Sequence, residues 1–474
     1  MSERLSAASA HEPTAYAQDL ARSLTLRENV MITLSSVTPA SSVFIIVPAV
    51  IAGIGGASAL AFAVAAIAGI FMAYCYSELA SAFPVTGGEY AFAARTLGRA
   101  TGFALFTLTL IGTVLILGVI ALGTGDYLGV AWPALSGKAV GVVVLLVTTV
   151  IAILNIRTNA WVTGIFLAIE LIAVAVLAVL GLTHISQPVS TLWTPQTSGH
   201  GGVLTAVSWG LVSSFTATAL FAYNGYGTAV YFSEETRRAT RMIGKAIMVS
   251  LAVTVAAELI PLVFVLLGTP SLPRLLASPT PMNYFLLARG GRVVNVLVSL
   301  GIALAIFNAV IAIMLQAGRL LFASARDRSW PDAVGDPLAR VHPRLRTPVL
   351  ATLVAGLGSA IVAWFVPLKV LIIATGANVT LIYLLVGLSA LVGRARGRTA
   401  RAEYRMPAWP LAPVLVLAIM AYVIYQSLVS DWVPMAVSLG ILAVGYAYYA
   451  VYLRPRRADR WTLPDPVRDE DDGA

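Results

Sequence analysis

The sequence is poor in the residues that bind metals or form disulfides. It has one cysteine, Cys75, so neither an intrachain disulfide nor a cluster of thiolate ligands can form. Its four histidines fall in predicted tails or loops, which excludes paired haem or copper ligands inside a membrane. We therefore expect no metal site, no cofactor and no enzyme activity. The four positions are His11, His184, His200 and His342.

Charged residues are also scarce, whereas apolar residues are abundant. Only 11% of the residues are charged, 58% are hydrophobic, and the mean hydropathy is +0.86 over 474 residues. Because long apolar runs span a bilayer as helices of about 20 residues, this composition predicts an all-α polytopic membrane protein surrounded by lipid. The runs predict about twelve helices, at 29–52, 57–82, 100–124, 136–155, 161–182, 203–232, 243–268, 292–325, 348–364, 368–393, 409–428 and 432–453.

The few basic residues are distributed unevenly over the predicted loops. If the N-terminus is inside, 26 of the 31 basic residues fall in the inner segments and five in the outer ones. The positive-inside rule then predicts that both termini are cytoplasmic. The arginines lie in separate short loops, so the net charge of +9 does not indicate nucleic-acid binding. With 28 arginines against 3 lysines, the chain is typical of a GC-rich bacterial genome, which favours the cell membrane.

Two of the predicted helices contain stretches that disfavour a continuous helix. The first has LSSVTPASSVF at 34–44, and the sixth has FAYNGYG at 221–227. Helices one and six are related by a shift of five, which is what two five-helix halves would produce. Corresponding interruptions in two halves are the sequence pointer to a transporter site between inverted repeats. The alternative is a pair of ordinary kinks relieved by neighbouring helices.

The first interruption has the chemistry of a binding site for a molecule with two charges. Thr38 suits an N-cap and Pro39 the first turn of a new half-helix, which predicts free amides near Ala40, Ser41 and Ser42 for a carboxylate. The preceding half ends near Ser36 and Val37, and half of helix six ends near Phe221 and Ala222. Their exposed carbonyls would suit an ammonium group. An α-amino acid carries both charges at this spacing.

Four segments carry a resemblance to a known family. They are YSELASAFPVTGGEYAFAARTLG, which ends at Gly98, FAYNGYGTAVYFSEET at 221–236, GRLLFASARDRSWP at 318–331, and the VHPRLRTPV that follows. In this order they resemble the APC superfamily of amino acid, polyamine and organocation transporters. The resemblance implies secondary transport and a LeuT-like fold of two inverted five-helix repeats with two further C-terminal helices.

The resemblance also implies a division of the chain. It gives a cytoplasmic tail at 1–28, repeats at 29–182 and 203–393, two additional helices at 409–453, and a second cytoplasmic tail at 454–474. We expect both tails to be solvated and disordered. One departure concerns the first helix, where the family usually has Gly-x-Gly-Ile/Val-Phe and this chain has Ala40-Ser41-Ser42-Val43-Phe44.

Further site residues follow from the same resemblance. An aromatic residue at the position of Phe221 closes over the substrate in the family, so Phe221 is expected to be the gate. Asn224 and Gly225 lie in the second interruption and are expected to contact substrate. In the family, an acid near Gly227 accompanies cationic substrates, and 221–233 contains none. A neutral or zwitterionic amino acid is therefore expected.

Glu170 is an acidic residue inside the fifth predicted helix. A charge at the centre of a span costs about 2.5–3.5 kcal/mol on insertion scales, so such residues are rare and usually functional. Family members often place a protonatable residue here, facing the broken first helix. We therefore expect Glu170 to carry a coupling proton, whereas the alternative is a permanently neutral acid that bonds the carbonyls of helix one.

Alternative functions remain at this stage. An amino acid or amine exchanger would use the same site without net proton flux, and a transporter-like sensor or channel could share the fold. Counterflow distinguishes a carrier from a sensor, because only a carrier exchanges labelled substrate across the membrane. The sequence carries no signal of oligomeric state.

Overall fold

The protein is an all-α polytopic membrane protein. The computed structural model describes residues 24–85, 87–154, 159–198, 203–345 and 347–463. Within them, nine helices are long and apolar enough to cross a membrane, and two more apolar helices are slightly shorter. We number the spans α1–α12: Leu26–Ile54, Ser58–Ala82, Arg99–Ala131, Lys138–Ile153, Asn159–Thr183, Trp209–Tyr223 with the 3₁₀ segment Tyr226–Glu235, Ala239–Gly268, Pro281–Arg326, Val349–Phe365, Leu368–Ala395, Leu411–Ser430 and Trp432–Tyr448.

Each of the twelve predicted spans coincides with one of these helices, and the differences lie at their ends. The sixth begins at Trp209, because the residues before it form a strand, Leu204–Ala206, that pairs antiparallel with Gln196–Ser198. The eighth is predicted to begin at 292, and the structure breaks directly before that residue: a short helix from Pro281 ends at the glycine at 291, whose φ of 76° is not helical. Apolar length therefore locates a span, whereas local turns set its ends. The grouping into two five-helix repeats stays a prediction.

Small residues let the helices approach closely, as expected where lipid replaces water. A Cβ atom placed on Gly268 of α7 would lie 2.6 Å from the Cα atom of Gly181 in α5. A Cβ atom on Gly244 of α7 would lie 3.1 Å from the Cβ atom of Ser77 in α2. Glycine at these positions fixes α7 against α2 and α5, on the side of the bundle that carries Glu170.

The loops rich in arginine contact one another at one face of the bundle. Leu24, just before α1, forms a parallel bridge with Thr236, just after α6. At the start of α7, Thr240 donates to Glu403 of the α10–α11 loop at 2.8 Å. Arg398 of that loop donates to the backbone oxygen of Arg95 between α2 and α3, at 2.6 Å. Connections that follow even-numbered spans thus share one face, as a twelve-span topology requires.

Part of the C-terminal tail is folded, which corrects the expectation that residues 454–474 are disordered. We call residues 454–463 the C-terminal segment; residues 464–474 lie outside the described residues, as do residues 1–23 of the N-terminal tail. The Trp461 side chain is only 1% exposed and packs on Tyr90 and Phe103, with ring centroids 5.3 and 5.2 Å apart. Its indole nitrogen donates to the backbone oxygen of Arg99 at 3.2 Å. The tail contains charges of both signs, so its composition predicts disorder and does not indicate that one buried tryptophan holds it in place.

Replacing Trp461 by alanine should destabilise the protein by about 3–5 kcal/mol, the usual range for removing a large buried aromatic side chain. The reason is that the Tyr90 and Phe103 rings would lose their partner and a void would remain. Thermal unfolding in detergent measures the change. Trp132→Ala is the control, because Trp132 is 54% exposed at the end of α3 and its removal leaves no void. Equal melting temperatures for both variants would show that the segment contributes nothing to stability.

Candidate transport site between two broken helices

The first span is broken at Thr38, as its sequence predicts. Its first half, α1a (Leu26–Val37), ends where Thr38 adopts a left-handed conformation with φ of 51°. Pro39 opens the second half, α1b, which runs through Pro39–Ser41, the π-helical Ser42–Ile46 and Val47–Ile54. Pro39 has no amide hydrogen, so the carbonyl of Ser35, one turn earlier, loses its usual partner. The end of α1a therefore has at least one carbonyl group, that of Ser35, without its usual helical partner.

The sixth span is broken at the level of the first. Helix α6a (Trp209–Tyr223) ends before Gly225, whose φ of 121° is a conformation that other residues rarely adopt. A Cβ atom on Gly225 would lie 2.9 Å from the Cα atom of Val37 and 3.2 Å from its nitrogen. The Ser42 hydroxyl in α1b donates to the carbonyl oxygen of Ala222 at 2.9 Å. The two breaks are therefore in direct contact.

The side chain of Glu170 in α5 forms hydrogen bonds at the beginning of α1b. Its Oε1 atom accepts from the Thr38 hydroxyl at 2.8 Å and from the Ala40 amide at 2.9 Å. The Ser41 hydroxyl lies 2.7 Å from Thr38 Oγ1, and since the Thr38 hydrogen goes to Glu170, Ser41 is the donor in that contact. Thr38 thus makes no capping bond to the backbone of α1b. The protein's own carboxylate takes the place that the sequence argument gave to the carboxylate of a substrate.

A second buried carboxyl group, that of Glu258 in α7, lies behind the same break. Its side chain is 0% exposed, and neither of its oxygens has a hydrogen-bond partner among the described residues. It faces Ser42 and Glu170 without reaching hydrogen-bond geometry to either. Two acidic residues therefore lie near the break, but only Glu170 is bonded to it.

A cavity lies against the two breaks. Its volume of about 60 Å³ would hold roughly four to six water-sized groups, since each needs about 10–15 Å³. Eight of the ten substrate-site residues predicted from the sequence line it: Ser36, Val37, Thr38, Ser42, Phe221, Ala222, Asn224 and Gly225. Ala40 and Ser41 do not, because their polar groups are directed to Thr38 and Glu170.

Phe221 lies in the cavity wall at the end of α6a and is 3% exposed. Its carbonyl oxygen accepts from the Asn224 amide at 3.0 Å, so the backbone turns directly after it. A ring at this position can move without breaking a hydrogen bond of its own. Its role as a gate stays a prediction.

Four further lining residues lie on the broken spans themselves: Ile46, Gly227, Thr228 and Tyr231. The rest come from helices to which sequence reasoning assigned no substrate contact. They belong to α3, α8, α10 and the short helix Glu89–Thr96 between α2 and α3: Glu89, Thr109, Gly112, Thr113, Ile116, Ile120, Ile313, Gln316, Asn378, Val379 and Ile382. Isolated polar residues on apolar spans resemble interhelical contacts, so sequence alone does not separate them from ligands. The feature that most of them share is their position on three central spans, α3, α8 and α10.

Glu89 is the one carboxylate that the described residues contribute to this lining. It accepts from the Tyr76 hydroxyl at 3.0 Å and closely from the Tyr231 hydroxyl. Burial raises the pKa of the Glu89 carboxyl above its ordinary value, and the bond from Tyr231 opposes that shift. Glu78, near the end of α2, pairs with Arg394 at 3.1 Å. Glu89 alone of the two contacts the cavity.

No cluster of three or more metal-binding side chains occurs among the residues that the structure describes. The lining consists instead of hydroxyl groups, amides, one carboxylate held by phenols, and apolar side chains. Such a set can bind a small molecule by hydrogen bonds and charge, which is the arrangement typical of ligand sites.

Comparison with known proteins agrees with this geometry. Residues 24–452 match the sequence model of a family described as amino acid permease. An uncharacterised transporter of Mycobacterium tuberculosis is 29% identical over 443 residues, which cover 93% of each chain. The branched-chain amino acid permease BcaP of Bacillus subtilis is 25% identical, over 83% of this chain and 85% of its own. A methylthioribose transporter of the same organism is 24% identical, over 87% and 90%.

The match covers nearly all of the described residues, including both broken helices. Because it extends from the start of α1 to the end of α12, it concerns the whole membrane domain and not one motif. The chain belongs to the amino acid permease family, within the APC superfamily.

Proposed function

We propose that the protein is a secondary active transporter that moves a small neutral amino acid across the cell membrane together with a proton. The observation that carries this proposal is the bond from Glu170 to the first amide of α1b. Thr38 both lines the cavity and donates to Glu170, so it connects the proton site to the substrate site.

The two breaks supply groups of opposite polarity for a zwitterion. Pro39 cannot donate, and the Ala40 amide is directed to Glu170, so the carbonyls of Ser35 and Ser36 lack their helical partners and suit an ammonium group. The beginning of α1b suits a carboxylate, because a helix N-terminus attracts anions. A molecule with both groups can bridge the end of α1a and the beginning of α1b.

Competition between two carboxylates provides the coupling. When Glu170 is ionised, it holds the Thr38 hydroxyl and the Ala40 amide. When Glu170 binds a proton, it becomes a weaker acceptor, and the Thr38 hydroxyl, which lines the cavity, can turn to the carboxylate of the substrate. Proton and substrate thus favour each other's binding, as reciprocal linkage requires.

The names of the relatives limit the class of substrate but do not identify the substrate. One is named for branched-chain amino acids and another for methylthioribose, so similar chains accept different small molecules. Among the residues that the structure describes, Glu89 is the single acidic group in the lining, and two phenols already donate to it, which favours a neutral side chain over a cationic one. A cationic amino acid is the second candidate, because Glu89 does contact the cavity.

The charge distribution supports the proposed orientation. The loops that meet at one face carry most of the arginines, so we assign that face, with both termini, to the cytoplasm. Alternating access would then open the cavity to the two sides in turn.

Uptake by proteoliposomes tests the proposal. A panel of labelled amino acids should show accumulation of at least one small neutral member when the interior is alkaline, and a protonophore should abolish it. Exchange of labelled for unlabelled substrate should persist without a gradient. Exchange without any response to the pH gradient would show an exchanger, and binding without exchange would show a sensor.

A further inference from the structure

Asn378 of α10 has an unpaired amide in the cavity wall. Its side chain is 0% exposed, and neither Oδ1 nor Nδ2 has a hydrogen-bond partner among the described residues. The residue lines the cavity. Because an unpaired buried amide is costly, polar groups in such positions are usually bonded to something.

The neighbouring helix makes room for this amide. A Cβ atom on Gly112 of α3 would lie 2.7 Å from Asn378 Oδ1, so the amide packs against bare backbone. Gly112 also lines the cavity. A side chain at position 112 would displace the amide of Asn378.

The two threonines near Gly112 already donate their hydroxyl hydrogens to backbone carbonyls. Thr109 donates to the Leu105 carbonyl at 2.9 Å, and Thr113 donates to the Thr109 carbonyl at 2.8 Å. Each hydroxyl has one hydrogen, so neither has another to offer to Asn378. Neither threonine therefore donates to Asn378, and both its amide oxygen and its amide nitrogen stay unpaired in a residue that lines the cavity.

We propose that Asn378 determines specificity by hydrogen-bonding a neutral polar group, a hydroxyl or a carboxamide, on the side chain of the substrate. This inference rests on the proposed function and names the substrate class within it. A hydroxyl or carboxamide both donates and accepts, so it matches an amide. An apolar side chain of the same shape would bury the amide unpaired, which lowers affinity by about tenfold to a hundredfold.

Isosteric pairs of amino acids provide the measurement. Uptake into proteoliposomes is compared for threonine against valine and for serine against alanine, with the full chain. We expect the polar member of each pair to be favoured about tenfold or more in the ratio of kcat to KM. Wild-type uptake that treats threonine and valine alike would overturn the inference.

Two variants and a control sharpen the test. Asn378→Leu keeps the shape of the side chain and removes its hydrogen bonds, so the preference should disappear or invert. Gly112→Ala should weaken the preference while Asn378 itself is retained. Asn308→Leu is the matched control, because Asn308 is buried in α8 but does not line the cavity, and it should leave the ratio unchanged.

The outcomes separate this inference from the proposed function. If no amino acid is transported or exchanged, the proposed function fails. If amino acids are transported but Asn378→Leu retains the preference of the wild type, only the role of Asn378 fails. Equal changes in Asn378→Leu and Asn308→Leu would also overturn it, since they would indicate general damage to the bundle.

Discussion

Replacing Glu170 by glutamine is expected to abolish accumulation driven by a pH gradient while exchange persists. Glutamine retains an oxygen that can accept from Thr38 and Ala40, so the break keeps its bonds. It cannot bind or release a proton, so the gradient no longer acts on the substrate. One pH unit is worth about 1.4 kcal/mol, or about tenfold accumulation for one proton per substrate, and the variant should fall to no accumulation.

Proteoliposomes loaded at alkaline pH measure this loss, and counterflow in the same preparation shows that the variant still carries substrate. Glu258→Gln is the matched control, because Glu258 is an equally buried carboxyl that makes no hydrogen bond to the break. It should keep the response to the gradient. Accumulation by Glu170→Gln at the level of the wild type would refute the coupling role, and loss in both variants would extend the proton site to Glu258.

Gly225→Ala is expected to abolish substrate binding. The backbone conformation at this position strains any other residue by about 1–3 kcal/mol. In addition, the new Cβ atom would lie 2.9 Å from the Cα atom of Val37, so the two breaks would have to separate. Since Val37 and Ala222 both line the cavity, this separation would displace groups that we propose to bind substrate.

Gly98→Ala separates the two effects. Gly98 has nearly the same φ, 120°, but a Cβ atom there has no neighbour within 4 Å among the described residues. Both variants should melt at lower temperature, because both carry backbone strain. Only Gly225→Ala should also lose the thermal stabilisation that the transported amino acid gives to the wild type. Retained binding in Gly225→Ala would show that contact between the breaks is not needed for the site.

The sequence predicts the spans and the breaks because both depend on local chemistry. Apolar length defines a span, and Pro39 interrupts a helix wherever it stands. The bond between Ala40 and Glu170 joins residues 130 positions apart, and only packing shows that the protein supplies its own carboxylate to α1b. For the same reason, Asn378 looks like a contact between helices until the unpaired amide is placed in the cavity wall.

The structure shows which groups the Ser41 and Ser42 hydroxyls contact. The resemblance aligns Ser42 with a position where the family usually has glycine, and Ser41 with the variable position before it. Ser41 donates to Thr38, and Ser42 donates to Ala222 across the two breaks. The departure from glycine therefore fixes the breaks to each other, and only Ser42 remains in the cavity wall.

The position of Trp461 has a consequence for the order in which the protein is made. Its partner Arg99 lies 362 residues earlier. At about 5–20 residues per second, roughly 20–70 s pass between synthesis of the two. During that time Tyr90 and Phe103 have no tryptophan to cover them, and Tyr90 is next in sequence to Glu89 in the cavity wall. The packing around Tyr90, the residue that follows Glu89, is thus completed only when Trp461 has been synthesised.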